Sequence, residues 1–201
     1  MFKKILPIMM AIGCFILFLV MTFLVMTGYV SYLDNFIYDL IIYPNEGLTF
    51  ILKIFTEFGD AIILVLITAL FLFLFKQRVV SFLIAINLVI VTIIGQIAKY
   101  IFTRPRPVDN VLIDVDGYSF PSGHSIVSIA FYGLLIYLCA KKIKNKFLRI
   151  ITICSLSLLI LVIGYSRIYL GAHFPSDVIG GFALGGCCLL IFITFVVKKR
   201  W

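Results

Sequence analysis

The chain has 201 residues, 63% of them hydrophobic and only 13% charged, with a formal net charge of +8. A soluble globular domain is about half apolar and about a quarter charged, so this composition excludes an ordinary water-soluble domain and calls for helices that face lipid or one another. The length fits one domain, and the basic excess, with no soluble domain to carry it, argues against nucleic-acid binding.

A membrane-spanning helix needs about 20 apolar residues. Six stretches qualify: residues 5–29, 48–75, 79–98, 125–140, 148–165 and 178–197. The first follows Lys3 and Lys4 but is longer than the about 7–15 residues of a signal-peptide core and ends in no small-x-small site, so it reads as a retained helix. Between the first and second, Leu33, Phe36, Ile37, Leu40 and Ile41 recur at helical spacing opposite Asp34, Asn35 and Asp39. This pattern predicts an amphipathic helix at about 31–43, halted near Pro44 and lying in the membrane interface; a lid over a lipid entrance is the functional alternative. The second stretch carries Lys53, Glu57 and Asp60 in its first turns, which places those turns at the water boundary. Asn87 and Gln96 in the third are expected to hydrogen-bond to neighbouring helices. In the sixth, Gly180, Gly181, Gly185 and Gly186 permit close helix contact, within the chain rather than across a dimer seam. The expected state is a monomer or weak oligomer. Cys14, Cys139, Cys154, Cys187 and Cys188 all lie in apolar stretches without metal-ligand spacing, as small hydrophobes do.

Charge orients this all-α, six-span bundle. Lys3, Lys4, Lys76, Arg78, Lys141, Lys142, Lys144, Lys146, Arg149, Lys198, Lys199 and Arg200 share one side, whereas all nine acids fall on the other. The positive-inside rule puts the basic side, with both termini, in the cytoplasm. Lys53, Lys99, Arg104, Arg106 and Arg167 are left on the outer side, where topology disfavours them. An anionic ligand is the simplest reason to keep them.

The outer loops carry the chemistry. Lys99 to Pro107 presents two cations around Pro105 and Pro107, which stiffen the backbone under Arg106. Arg supplies a planar fork that fits phosphate oxygens, although snorkelling interface cations would look the same. Phe120-Pro121-Ser122-Gly123-His124 opens the fourth stretch. Ser122 is placed to N-cap it, Gly123 lets a ligand approach the backbone, and the free N–H groups suit an anion. Ser166 to Asp177 ends with Pro175 at a helix start. His173 stands just before that start and Asp177 in its first turn. A carboxylate beside one imidazole nitrogen fixes the tautomer and frees the other to attack; a capping role alone is the bland alternative for Asp177. Both histidines of the chain fall in these segments. The acids Asp109, Asp114 and Asp116 read as a solvated loop surface, and no carboxylate cluster suited to a metal stands among the motifs.

Lys99–Pro107 fits K-x6-R-P, Pro121–His124 fits P-S-G-H, and Ser166–Asp177 fits S-R-x5-H-x3-D. In this order they resemble the type 2 phosphatidic acid phosphatase superfamily, which also includes vanadate-dependent haloperoxidases. The resemblance extends to the six-helix layout. It implies a bacterial plasma-membrane lipid phosphatase of the phosphatidylglycerophosphatase or undecaprenyl-diphosphatase kind, its site facing outward and needing neither metal nor cofactor. Its substrate would be phosphatidate, phosphatidylglycerol phosphate or undecaprenyl pyrophosphate, the last tied to cell-wall biogenesis. It also implies His173 as nucleophile, Asp177 as its orienter and His124 as general acid. Lys99, Arg106, Ser122, Gly123 and Arg167 would bind the phosphate. The motif selects Arg106 over Arg104, leaving Arg104 as a supporting cation or headgroup contact. A haloperoxidase is the alternative within the superfamily, but oxidising halide needs no spanning helices. A transporter or flippase using the same cationic pocket usually sets ionisable groups at mid-membrane, where this chain has none.

Overall fold

A computed structural model of the protein describes residues 2–74 and 78–197. The side chains of Lys3 and Lys4, together with Lys76 and the basic end at 198–200, on which the expected orientation partly rests, lie outside the described residues. Within that range the chain is helical, without strands. It comprises α1 (Phe2–Met26), α2 (Ser31–Ile41), α3 (Glu46–Glu57), α4 (Ala61–Leu74), α5 (Arg78–Phe102), α6 (Gly123–Lys142), α7 (Lys146–Tyr169) and α8 (Pro175–Phe192), with a π-helical turn over Ile193–Val197. Five of these helices are long and apolar enough to cross a membrane, and the bent pair α3–α4 makes a sixth span if counted as one.

That pair departs from the single helix expected over 48–75. The two axes bend by 54°. The cause is local: Gly59 N–H closes α3 on Thr56 O at 2.9 Å, and Asp60 Oδ1 accepts Ile62 N–H at 2.7 Å to open α4. Gly59 also has no room for a side chain, since an added Cβ would lie 2.6 Å from Ile163 Cγ2 and 3.0 Å from His124 Cδ2. The break therefore presses against the start of α6.

Other ends shift in a way that bears on function. α5 runs on through Tyr100, Ile101 and Phe102, so Lys99 stands in its last turn. α7 continues to Tyr169, making Ser166 and Arg167 helical rather than loop residues. After α5, Thr103 takes the left-handed conformation (φ 44°), which a β-branched residue rarely adopts, and the chain turns so that Arg104 O accepts Ser119 N–H at 2.8 Å.

The core is centred on α8, whose most apolar stretch is 61% buried against 17% for α1 and α7. Two of its glycines, Gly181 and Gly185, face α6. A Cβ on Gly181 would lie 2.6 Å from Ser122 O, and one on Gly185 2.5 Å from Ile126 O. The starts of α6 and α8 are thereby brought side by side. The loop before α6 is pinned by Phe120, fully buried between Phe18 and Phe102 with ring centroids 6.0 and 5.4 Å away.

α2 is amphipathic as expected, but its polar side is not all solvated. Asp34 is 1% exposed, and Tyr38 is buried against Ile168 and Val178. The Tyr38 phenol, pushed up to about 12 by burial and then by Asp109 and Asp39, donates to Asp109 O at 2.6 Å. α2 is thus docked on the end of the bundle where the motif loops meet.

Candidate active site

The N-terminus of α8 organises the site. Pro175 supplies a first-turn residue with no N–H to satisfy. Asp177 reaches back so that its Oδ2 accepts Phe174 N–H at 2.8 Å. It therefore does cap, and it does more. Its Oδ1 accepts Arg104 Nη1 at 2.6 Å, and its Oδ2 accepts the Ser119 hydroxyl at 2.5 Å.

His173 lies just ahead of α8, 1% exposed, with its backbone N–H on Arg167 O at 3.1 Å. The direct carboxylate–imidazole pairing expected from sequence is replaced by a bridge. His173 Nδ1 is 3.6 Å from Asp177 Oδ2, and Ser119 Oγ stands between them, 3.2 Å from Nδ1. With the Ser119 proton directed to Asp177, the hydroxyl oxygen accepts a hydrogen bond from Nδ1–H, which leaves Nε2 with its lone pair. That assignment matches the other side of the ring, where Arg106 Nη1 approaches Nε2 at 3.3 Å. Burial first, then the Arg167, Lys99 and Arg106 charges, hold the imidazole well below its ordinary 6.5. It is a neutral nitrogen base facing cations.

Those cations converge from three elements. Arg106 is clamped by carbonyls: Nε on Gly117 O at 3.0 Å, Nη1 on Ala172 O at 2.8 Å and Nη2 on Asp116 O at 2.8 Å. Burial lowers its pKa, against the opposing pull of Asp177 and Asp116. Lys99 Nζ donates to Tyr118 O at 2.6 Å. Arg167 is 4% exposed and donates Nη1 to Thr56 Oγ1 at 2.9 Å, while its Nε is buried without a partner. Burying a guanidinium with a donor unpaired is costly, and an anion in the site would relieve that cost.

Lys99, Arg106, Gly123, His124, Arg167 and His173 line one cavity of about 420 Å³. The two other predicted site residues stand behind its wall. Asp177 does not line the cavity and stands behind His173 and Ser119. Ser122 occupies the N-cap position of α6 without capping by its side chain, and its hydroxyl is fully buried and unpartnered. Among the described residues, no group of three or more His, Cys, Asp or Glu is arranged to hold a metal ion.

Sequence reasoning missed Ser119, Thr56, Asp34 and Ser176, and left Arg104 open. Arg104 Nη2 pairs with Asp34 Oδ2 at 2.8 Å, and its Nη1 also reaches Ser176 Oγ at 2.7 Å. Asp34 accepts Ser176 N–H at 2.9 Å and the Ser176 hydroxyl at 2.5 Å. Arg104 further lies 4.6 Å from the centroid of the Phe174 ring. It is a largely enclosed bracket behind Asp177.

Residues 78–201 match the family model described as the PAP2 superfamily. The chain belongs to that superfamily. It is 35% identical over 108 residues to phosphatidylglycerophosphatase B of Bacillus subtilis, covering 53% of this chain and 50% of that protein. It is 32% identical over 137 residues to the undecaprenyl-diphosphatase of Sulfolobus acidocaldarius, covering 65% of this chain and 62% of the relative. The chain thus spans about half to three-fifths of the length of these curated relatives. The fold is similar throughout to the crystal structure of a transmembrane PAP2-type phosphatidylglycerolphosphate phosphatase from Bacillus subtilis, with a TM-score of 0.84 and 25% identity over 94% of this chain and 96% of that one. Aquifex aeolicus LpxE matches with a TM-score of 0.68 and 26% identity over 81% and 96%. The family indicated by the three motifs is therefore the family of the chain.

Proposed function

We propose that the protein is a multi-pass membrane phosphatase, one domain of six spans, that hydrolyses a lipid phosphate through a phospho-histidine intermediate without a metal. The observation that carries this is the convergence of two imidazoles and three cations on a single cavity, in a family whose named relatives are lipid phosphatases. Phosphoryl transfer asks mainly for positioning and charge stabilisation. Lys99, Arg106 and Arg167, with the Gly123 N–H, take the phosphate oxygens and supply the charge that a cation gives elsewhere.

In the first step His173 Nε2 attacks phosphorus, the N–P bond forms, and the P–O bond to the lipid breaks. His124 gives its proton to the departing oxygen. The phosphorylated ring carries positive charge, and Nδ1–H shares it through Ser119 with the Asp177 carboxylate. In the second step His124, now neutral, takes a proton from water, which attacks phosphorus. The N–P bond breaks, inorganic phosphate leaves, and both rings return to their starting states. Ser122 supports the turn under the phosphate from behind the cavity wall.

The charge asymmetry supports cytoplasmic termini and a site at the outer face of a bacterial plasma membrane, with α2 lying in the interface. The substrate is phosphatidate, phosphatidylglycerol phosphate or undecaprenyl pyrophosphate. The purified protein in detergent should release phosphate from at least one of these in the presence of EDTA, and vanadate should inhibit it. Loss of turnover in EDTA with recovery in Mg²⁺ would overturn the metal-free mechanism; no release from any of the three would overturn the phosphatase assignment.

A further inference from the structure

Polar side chains in a spanning helix are costly unless paired, and those left unpaired mark functional surfaces. α5 carries Asn87, Thr92 and Gln96. Asn87 is explained by packing: it is buried, and its Nδ2 donates to Ala130 O on α6 at 2.9 Å. Gln96 is not. It was expected to bond to a neighbouring helix, yet its amide is exposed and makes no hydrogen bond within the described residues. Thr92 is similar. Thr68, Thr152 and Thr194 return their hydroxyls to the carbonyl four residues back at 2.7, 2.9 and 2.7 Å, a bond that Thr92 does not make.

Both residues line the cavity that holds His124 and His173. Thr92, Gln96 and Lys99 stand at i, i+4 and i+7, so they form one stripe along the helix. At about 1.5 Å per residue, Gln96 is about 4.5 Å and Thr92 about 10 Å further along α5 from the phosphate end. Gly95 sits beside the stripe with room for only a tight contact, an added Cβ meeting Ile126 Cδ1 at 3.1 Å. α5 therefore closes on α6 there, and the stripe opens to the cavity.

We infer that Gln96 and Thr92 form a subsite for the ester carbonyls of a glycerolipid whose phosphate is held by Lys99, Arg106 and Arg167. This rests on the lipid-phosphatase assignment and narrows its substrate class. A diacylglycerol phosphate carries two carbonyl acceptors a few bonds from its phosphate, and these match an amide donor and a hydroxyl donor. A polyprenyl chain is hydrocarbon from its first carbon and offers neither donor an acceptor, so it gains nothing from this stripe.

The test uses full-length protein with His173→Ala in nanodiscs, so that binding is read without turnover. Dioleoyl phosphatidate is compared with its ether-linked dialkyl counterpart, which keeps the phosphate and chains but lacks the carbonyls. The ester lipid should bind tighter by about three- to tenfold, the value of a single neutral hydrogen bond. Gln96→Leu should abolish that preference by weakening the ester lipid alone, and Thr92→Val should reduce it. Equal binding of ester and ether lipids to the Gln96 protein would overturn the subsite, with no variant needed. Gln96→Leu weakening both lipids alike would also overturn it. Failure of the phosphatase assignment would register separately, as absent phosphate release by the His173 protein whatever the ester preference.

Discussion

The two histidines share one cavity but differ in how they are held. His173 is almost fully buried, with Ser119 on one ring nitrogen and Arg106 on the other. His124 is half-buried, its ring has no hydrogen-bond partner among the described residues, and it rests against the glycine at the α3–α4 break. It also lines a second cavity, of about 570 Å³, with Lys53, Glu57 and Asp60. In its proposed role as nucleophile, His173 gains from being held in one tautomer and one orientation. In its proposed role as proton donor, His124 has to meet whatever leaves, and open space around it serves that task. The difference separates a fixed half of the site from an adaptable half.

The largest effect should come from the fixed half. His173→Ala should abolish phosphate release by more than about 10³-fold, as loss of a nucleophile does elsewhere, and quenched enzyme should carry no acid-labile phosphate. His124→Ala comes next, at about 10²–10⁴-fold on lipid substrates, the usual worth of a general acid. It should cost far less on para-nitrophenyl phosphate, whose phenolate leaves unaided; equal losses on both would remove His124 from the acid role. Ser119→Ala should lower kcat by about 10–100-fold with KM little changed, in line with the loss of a group that orients a ligand, and Ser119→Thr should restore much of it. Asp177 pairing with His173 unaided would instead leave Ser119→Ala near full activity.

Smaller effects sharpen the contrast. Gly59→Ala would drive a methyl into Ile163 and the His124 ring, at about 1–3 kcal/mol of stability in denaturant unfolding, with the kinetic loss confined to poor leaving groups. The acid limb of kcat/KM should lie well below pH 6.5, because His173 is held neutral by burial and by cations. Removing a cation raises its pKa, so Arg106→Gln should move that limb upward, toward 6.5, independently of the drop in rate. A limb that stayed in place would mean that another group controls it.

Much of this was legible in the sequence because spanning helices and motif spacing are local signals. Apolar runs coincide with five long apolar helices to within a few residues at most ends, and the Pro and Gly turns stand where α6 and α8 begin. The bend at Gly59–Asp60 was written as a cap pair but lay inside an apolar run that hid it. Lys99 and Arg167 lie past the apolar runs yet inside their helices, because the Tyr118 carbonyl and the Thr56 hydroxyl take up those charges in place. Ser119 could not be singled out. Its role arises only when two chain segments, 54 residues apart, meet across an imidazole. Asp34 was hidden for the same reason: an acid on an amphipathic helix looks solvated until a partner 70 residues on is known.

Asp34 lies upstream of residues 78–201, the part of the chain that the family model recognises. The recognisable portion is therefore not self-sufficient. A fragment trimmed to it, or a chimera receiving its first helices from a cousin with no acid at this place, would leave the Arg104 guanidinium with Asp177 as its one remaining carboxylate and strip Ser176 of its acceptor. Transplanting the motifs alone would carry the reactive groups across and abandon the beam that keeps them aligned.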